Sequence, residues 1–419
     1  MKGNTKSQPI SIEQVWAAYR EVRKHGKASG VDGLTKKVYE EIKSKELYKV
    51  WNRMASGSYY PPPVRRVEIP KSDGEKRKLG IPTINDRVAQ TVVKHYLEPK
   101  LEPHFHENSF GYRPNRNAHQ ALAQAEREHK KKAWVLDLDI KGFFDHLRHD
   151  LMMLALQRHT QEKWVLMYIE RWLKAPVEQS DGRKTYPSQG SPQGGVISPL
   201  LSNLYLHYAF DEWMRIHYEA VVFERYADDI VVHCNSYQEA EKLLGAIRRR
   251  LLECGLELHP EKTKIVYCKD SNRKGDYETV SYEFLGIRFQ PHAAKNRKTG
   301  KLFTTFGPAD ISSKTKEKIL ETIRSQQIKK RMTCTLTELT KLLEPHVRGW
   351  MNYFGRIKKR LLHEVMRYIN GLLLQWAVKR YKRFKGRIRE ARNWLKEIIM
   401  IIQTCFYIGN MDLNHNSID

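Results

Sequence analysis

The stretch that most restricts how this chain can fold is Tyr226-Ala227-Asp228-Asp229, set between the apolar runs Val221-Val222-Phe223 and Ile230-Val231-Val232. The pattern reads as two strands meeting at a tight turn. Asp is a favoured turn residue, so an Asp-Asp pair alone demands nothing more than a turn. A second acidic strand upstream changes that. In Trp134-Val135-Leu136-Asp137-Leu138-Asp139-Ile140 a period of two puts Asp137 and Asp139 on one face of a run otherwise apolar enough to be buried. Buried carboxylates require a metal or a cationic partner, because like charges out of water repel. Asp139 on a strand facing Asp228 and Asp229 on a hairpin is the arrangement that holds two Mg²⁺ ions about 4 Å apart, one activating a hydroxyl and one clamping a leaving phosphate. Mg²⁺ takes most of its ligands from water and substrate phosphate, so three carboxylates suffice.

The charge balance names a class of partner. Lys and Arg number 74 against 48 Asp and Glu, a formal charge of +26. Such a surplus calls for a polyanion, and with 10% aromatics nucleic acid fits better than a membrane surface. A merely solubilising surface would spread its charge. Here residues 310–396 hold 23 Lys and Arg against 7 Asp and Glu, a net +16 in about a fifth of the chain. Cys234, Cys254, Cys268, Cys334 and Cys405 form no C-x-x-C pair, which fits reduced thiols rather than a disulfide framework or a zinc site. The polar start leads to no apolar signal core and no run reaches transmembrane length, so the expected location is cytoplasmic, with no membrane partner.

Three boxes then carry a resemblance. Tyr226 to Asp229 resembles the YxDD box of reverse transcriptases, and the Asp139 strand resembles their first catalytic motif. Between them, Gly190-Ser191-Pro192-Gln193-Gly194-Gly195-Val196-Ile197-Ser198-Pro199-Leu200-Leu201 resembles the SPQG-xxSPLL box of the group II intron branch. All three fall in order within about a hundred residues, a specific signature. His346-Val347-Arg348-Gly349-Trp350-Met351-Asn352-Tyr353-Phe354 adds the GWxNYF string of the thumb, or maturase domain X, which separates intron proteins from other bacterial reverse transcriptases.

The resemblance and the local pattern together suggest roles along the chain. A helix over 12–25 ends at Gly26 before Ala28-Ser29-Gly30-Val31-Asp32-Gly33, a loop that reads as a turn or a phosphate cradle and is similar to the family's RNA-touching GxDG segment. Strands over 64–70 and 77–82 form a hairpin turning at Ser72-Asp73-Gly74. Its basic tip is either a solvated edge or a clamp on a triphosphate, and the resemblance assigns Lys71 and Arg77 to the triphosphate. After a helix over 86–101, Ser109-Phe110-Gly111-Tyr112-Arg113-Pro114-Asn115-Arg116 reads equally as a packed loop or as an RNA contact through Arg113 and Arg116, with Arg65 as a further contact. Phe144, five residues past Asp139, matches the steric gate that excludes a 2′-hydroxyl, while one of Phe143 and Phe144 is expected in the core. Gln193 sits on a Gly-flanked turn that nucleotide and template can approach. Helices are expected over 198–218 and 238–254. Lys262, within Leu256 to Lys264, reads as a proton donor to the pyrophosphate leaving group, as a phosphate contact or as a merely exposed lysine. Tyr282 to Gly286 resembles the primer-grip turn, in which Phe284, Leu285 and Gly286 seat the 3′ end. Leu361, Leu362, Val365, Met366, Ile369, Leu372, Leu373 and Trp376 trace one helical face, and the basic face beyond it, with Arg348, Arg383 and Arg387, reads as an RNA track.

These readings converge on an α+β right-hand polymerase. It comprises an N-terminal extension over 1–58, fingers and palm with a small antiparallel sheet over 59–308, an α-helical thumb over 309–396 and a tail over 397–419. The tail has no Lys or Arg and lacks the cysteine pairs of the HNH endonuclease into which the fuller family pattern continues, so priming from a nascent strand or another borrowed 3′ end is expected. The resemblance implies an RNA-directed DNA polymerase and maturase using two Mg²⁺ ions. Its partners would be group II intron RNA, an RNA template, a DNA target and primer, and dNTPs; monomer and dimer both stay open. One alternative is an RNA-binding splicing cofactor that no longer polymerises, opposed by the intact aspartates. Another is a reverse transcriptase of a defence or diversity-generating system, opposed by the domain X string.

Overall fold

The computed structural model describes residues 7–25, 28–70, 76–296 and 298–402. Gly26, Lys71, the turn Ser72-Asp73-Gly74, Cys405 and the tail from 403 lie outside the described residues. The chain divides into two compact units, Met1–Ile265 and Val266–Asp419, and the strands after 282 pair among themselves.

Among the described residues the strands of the first unit are, in chain order, β1 (Val64–Pro70), β2 (Lys76–Ile81), β3 (Trp134–Asp139), β4 (Val177–Glu178), β5 (Lys184–Thr185), β6 (Phe223–Tyr226), β7 (Asp229–Cys234) and β8 (Lys264–Tyr267), the last running across the division. They form two sheets, β2-β1-β4-β5 and β6-β7-β3-β8. In the second, β3 and β7 are antiparallel, with Leu136 opposite Val232 and Leu138 opposite Ile230. All four of these side chains are buried, whereas Asp137 and Asp139 keep partial exposure. The helix Tyr237–Glu253, capped by Ser236, packs on this sheet through Leu243, Ile247 and Leu251, but Leu252 from the expected stripe stays exposed.

The helices expected over 12–25 and 86–101 are Ile12–Val22, opened by a Ser11–Gln14 capping box, and Ile84–Leu101, capped by Thr83. The single helix expected over 198–218 is interrupted. Ser198–Leu206 gives way to a π-helical turn, His207–Asp211, before Glu212–His217. Such wide turns often mark functional positions, and this one places Asp211 beneath β6.

In the second unit β9 (Tyr282–Phe284), β10 (Ile287–Lys295) and β11 (Leu302–Ile311) form an antiparallel sheet, followed by helices Ser313–Ser325, Leu336–Trp350, His363–Arg380 and Ile388–Ile402. The apolar stripe from Leu361 to Trp376 is buried at every expected position. Cys234, Cys254, Cys268 and Cys334 are free thiols, and burial pushes Cys234 and Cys268 up to about 12. No helix among the described residues is long and apolar enough to cross a membrane.

Candidate active site

β6 and β7 are joined by the two residues Ala227 and Asp228, with Tyr226 paired to Asp229. Ala227 has φ +58°, the left-handed value that a two-residue hairpin with one positive φ needs and that a non-glycine residue tolerates only when its surroundings enforce it. Asp229 lies directly opposite Asp139 across β7 and β3. Asp228 is held above the ordinary carboxylate range, chiefly by burial and further by the charge of Asp139, while Arg77 and Arg225 act in the opposite direction. The donor set suits a divalent cation, which would relieve that repulsion. Among the described residues no group of three or more His, Cys, Asp or Glu side chains is placed so that it could hold a metal ion.

What enforces the turn is a residue the sequence reading passed over. Arg225 is wholly buried and grips Asp211 with two bonds, Nε to Oδ1 at 2.7 Å and Nη2 to Oδ2 at 2.6 Å. Its Nη1 donates to Asn203 Oδ1 at 3.0 Å and to the Ala227 carbonyl at 3.1 Å. Asn203 in turn donates to the Gly111 carbonyl at 2.7 Å. Gly111 packs so closely that a Cβ there would stand 2.4 Å from the Ala227 nitrogen. The signal was an Arg at period two between Phe223 and Ala227, both buried.

The Ser109 to Arg116 string therefore braces the turn. Phe110 N–H donates to the Arg225 carbonyl at 2.8 Å, and Arg225 N–H to that of Asn108 at 2.9 Å. Arg113 corrects the RNA-contact expectation. Its side chain is 5% exposed, salt-bridged to Glu102 at 2.8 Å, and donates to the carbonyls of His106 and Ser109, so its fork is committed within the fold. Arg116, half-buried, lies over the Phe110 ring at 5.6 Å, and Arg65 is half-buried on β1 opposite Ile81. Tyr112 is the exposed aromatic of the string, its ring 6.3 Å from that of Tyr226.

Of the residues expected to bind nucleotide, Arg77, Phe144 and Gln193 come together at the loop after Gly190. Arg77 donates through Nε to Gln193 Oε1 at 3.1 Å, and Gly80 N–H to the Gln193 carbonyl at 2.7 Å. Phe143 is the core member of its pair and Phe144 the half-buried one. Phe144 and Gln193 line one cavity of about 180 Å³ with Arg66, Lys78 and Tyr186. The Lys262 segment is clipped to the Asp139 strand, with His259 N–H donating to the Asp139 carbonyl at 2.7 Å and Asp139 N–H to Thr263 Oγ1 at 3.4 Å. Lys262 itself is exposed on that turn.

In the second unit, Leu285 and Gly286 form the two-residue turn between β9 and β10, with φ +51° and +77°, while Phe284 is fully buried. Both positive φ values mark the type I′ turn that suits a right-twisted hairpin. Tyr353 of the GWxNYF string donates its hydroxyl to the Leu285 carbonyl at 2.9 Å. Arg348 is exposed and paired with Glu344 on its own helix. Arg387 is exposed and 3.5 Å from Glu390, and Arg383 lies over the Phe384 ring at 4.6 Å.

A strand-borne and a hairpin-borne carboxylate facing each other on a small antiparallel sheet fit the palm of a right-hand polymerase fold. The family model for "Reverse transcriptase (RNA-dependent DNA polymerase)" matches residues 69–289, and that for "Group II intron, maturase-specific domain" matches residues 316–394. The chain belongs to the reverse transcriptase family and carries the group II intron maturase-specific domain. It is 32% identical to protein YkfC of Escherichia coli K12 over 279 residues, 58% of this chain and 73% of that protein. With the group II intron-encoded protein LtrA of Lactococcus lactis it shares 37% identity over 183 residues, 43% of this chain and 30% of LtrA. With an uncharacterized 91 kDa protein in the cob intron of Schizosaccharomyces pombe it shares 24% over 371 residues, 74% of this chain and 46% of that protein. The matches thus span less than half the length of the two intron proteins.

Proposed function

We propose that this protein copies an RNA template into DNA, and that through its maturase-specific domain it binds group II intron RNA and promotes splicing. The observation that carries the polymerase reading is Asp139 standing opposite Asp229 with Asp228 on a turn braced by a buried arginine. The primer 3′-hydroxyl oxygen attacks the α-phosphorus of a dNTP; its proton passes to solvent water, a P–O bond forms, the bond to the oxygen bridging to the β-phosphate breaks, and pyrophosphate leaves. Two Mg²⁺ ions, held by Asp139, Asp228 and Asp229, would supply charge neutralisation and an activated hydroxyl when bound. Arg77, with Lys71, binds the triphosphate, and Gln193 orients Arg77 while its loop backbone meets the nucleotide. Phe144 faces the sugar and leaves no room for a 2′-hydroxyl. Lys262, exposed beside the Asp139 strand, meets the leaving pyrophosphate as a phosphate contact or proton donor.

Phe284, Leu285 and Gly286 seat the primer end. Arg348, Arg383 and Arg387, exposed on the basic unit, contact RNA phosphates, joined by Arg65 and Arg116. The test is primer extension on an RNA template with Mg²⁺ and dNTPs, comparing wild type with Asp228→Ala/Asp229→Ala, beside splicing of the flanking intron at low Mg²⁺. DNA synthesis lost in the variant while splicing persists is the expected result. A wild type that stimulates splicing without extending any primer refutes the polymerase reading and leaves an RNA-binding maturase.

A further inference from the structure

We propose that Gln90 is a positioning residue for the nucleotide-binding loop Gly190 to Ile197, an inference that rests on the polymerase reading above. Gln90 lies on the helix Ile84–Leu101 and is 4% exposed. Its Oε1 accepts from the backbone N–H of Val196 at 2.7 Å and of Ile197 at 3.2 Å, and its Nε2 donates to Asp86 Oδ2 at 2.9 Å. The partners dictate the amide's orientation, since two backbone donors can meet only its oxygen. Asp86 is fixed in turn, its Oδ1 accepting from the Tyr59 hydroxyl at 3.0 Å and the Trp172 indole at 2.8 Å.

The far side of the loop is laced by its own serines. Ser191 Oγ donates to Ser198 Oγ at 2.9 Å, and Ser198 Oγ to the Pro192 carbonyl at 2.9 Å. Gln193, between them, carries the bond from Arg77. A buried chain of hydrogen bonds therefore runs from two aromatic donors through Asp86 and Gln90 into the backbone that presents Gln193. Gln90 acts on the nucleotide only through that loop. Without its oxygen two backbone donors lose their partner, the loop spends less time in its nucleotide-ready form, and apparent affinity falls with that population.

The test measures dNTP KM and kcat for primer extension by the full chain as wild type, Gln90→Ala and Gln90→Glu, across pH. Gln90→Ala should raise KM about tenfold with kcat within about twofold, as a reduced competent population requires. The Gln90→Glu side chain, when protonated, donates to Asp86 and still accepts from both amides. Its KM relative to wild type at the same pH should therefore return toward unity as pH falls, with Asp86, Tyr59 and Arg87 the titratable or charged groups around it. Hydrogen–deuterium exchange at the Val196 and Ile197 amides, read without turnover, should be faster in Gln90→Ala. Unchanged exchange at those amides, or kcat and folded fraction falling together with no change in KM, would overturn the proposal. A wild type that makes no DNA refutes the polymerase reading by itself, and the exchange measurement still decides whether Gln90 holds the loop.

Discussion

Replacing Arg225 by Met removes the brace of the catalytic turn, and the structure sets the size of the effect. Arg225 and Asp211 are both wholly buried, so the variant leaves a carboxylate in the core without its cation. His207, 4.0 Å from Asp211, is no substitute, because burial pushes its pKa down to about 4 and keeps it neutral. Breaking a buried pair on one side costs about 3–5 kcal/mol. In a unit of this size each kcal/mol shifts the melting temperature by about 2–4 °C, so Arg225→Met should melt roughly 10 °C lower by circular dichroism. The double variant Arg225→Met/Asp211→Leu carries no orphaned charge, and replacing a whole buried pair by apolar side chains is often neutral. It should recover most of the lost stability but not the bonds to Asn203 and the Ala227 carbonyl. Primer extension should stay about a hundredfold down, since displacements near 1 Å at a reacting centre cost that much. The reasoning is refuted if the single variant melts within about 2 °C of wild type, or if the double variant regains extension along with stability.

Gly111→Ala would push a Cβ against the Ala227 nitrogen, 2.4 Å away with backbone on both sides, so extension should fall about a hundredfold in a protein that still folds; unchanged extension would show that the turn can yield. Tyr353→Phe removes one bond to the Leu285 carbonyl, worth about 1 kcal/mol, and should raise the primer KM about fivefold without altering splicing; an unchanged primer KM would sever the link between the GWxNYF string and the primer turn. Burial pushes Asp86 up to about 6 from the ordinary 3.8, so the folded protein binds its proton more tightly than the unfolded chain. The stability this adds is complete below about pH 4 and is lost as pH rises through about 6, about 3 kcal/mol in all. Urea midpoints between those pH values should show that fall in wild type but not in Asp86→Asn, and identical slopes would disprove it.

The catalytic hairpin, the Asp139 strand and the thumb stripe were legible because each is written in residues a few positions apart. Period two places Leu136, Leu138 and their partners, turn chemistry places Asp228, and helical spacing places Leu361 to Trp376. Phe143 and Phe144 show where that stops. Adjacent identical rings carry the same local signal, and only packing makes one core and leaves the other lining the cavity shared with Gln193. Arg113 misled for a related reason: an exposed arginine fork and one closed on Glu102, eleven residues earlier, look alike in a string.

By itself, then, the sequence determined the carboxylate motif, the order of the boxes and the basic character of the second unit, all of which rest on neighbours along the chain. Tertiary structure alone decided which charges are structural. Arg225 meets Asp211 and Asn203 from 14 and 22 residues away, across a π-helical turn that no local pattern announced, and Gln90 reaches the nucleotide loop across more than a hundred. The cost of burying a charge or an amide depends on what surrounds it in space, so only the packed protein distinguishes a side chain that faces substrate from one that holds the site in shape.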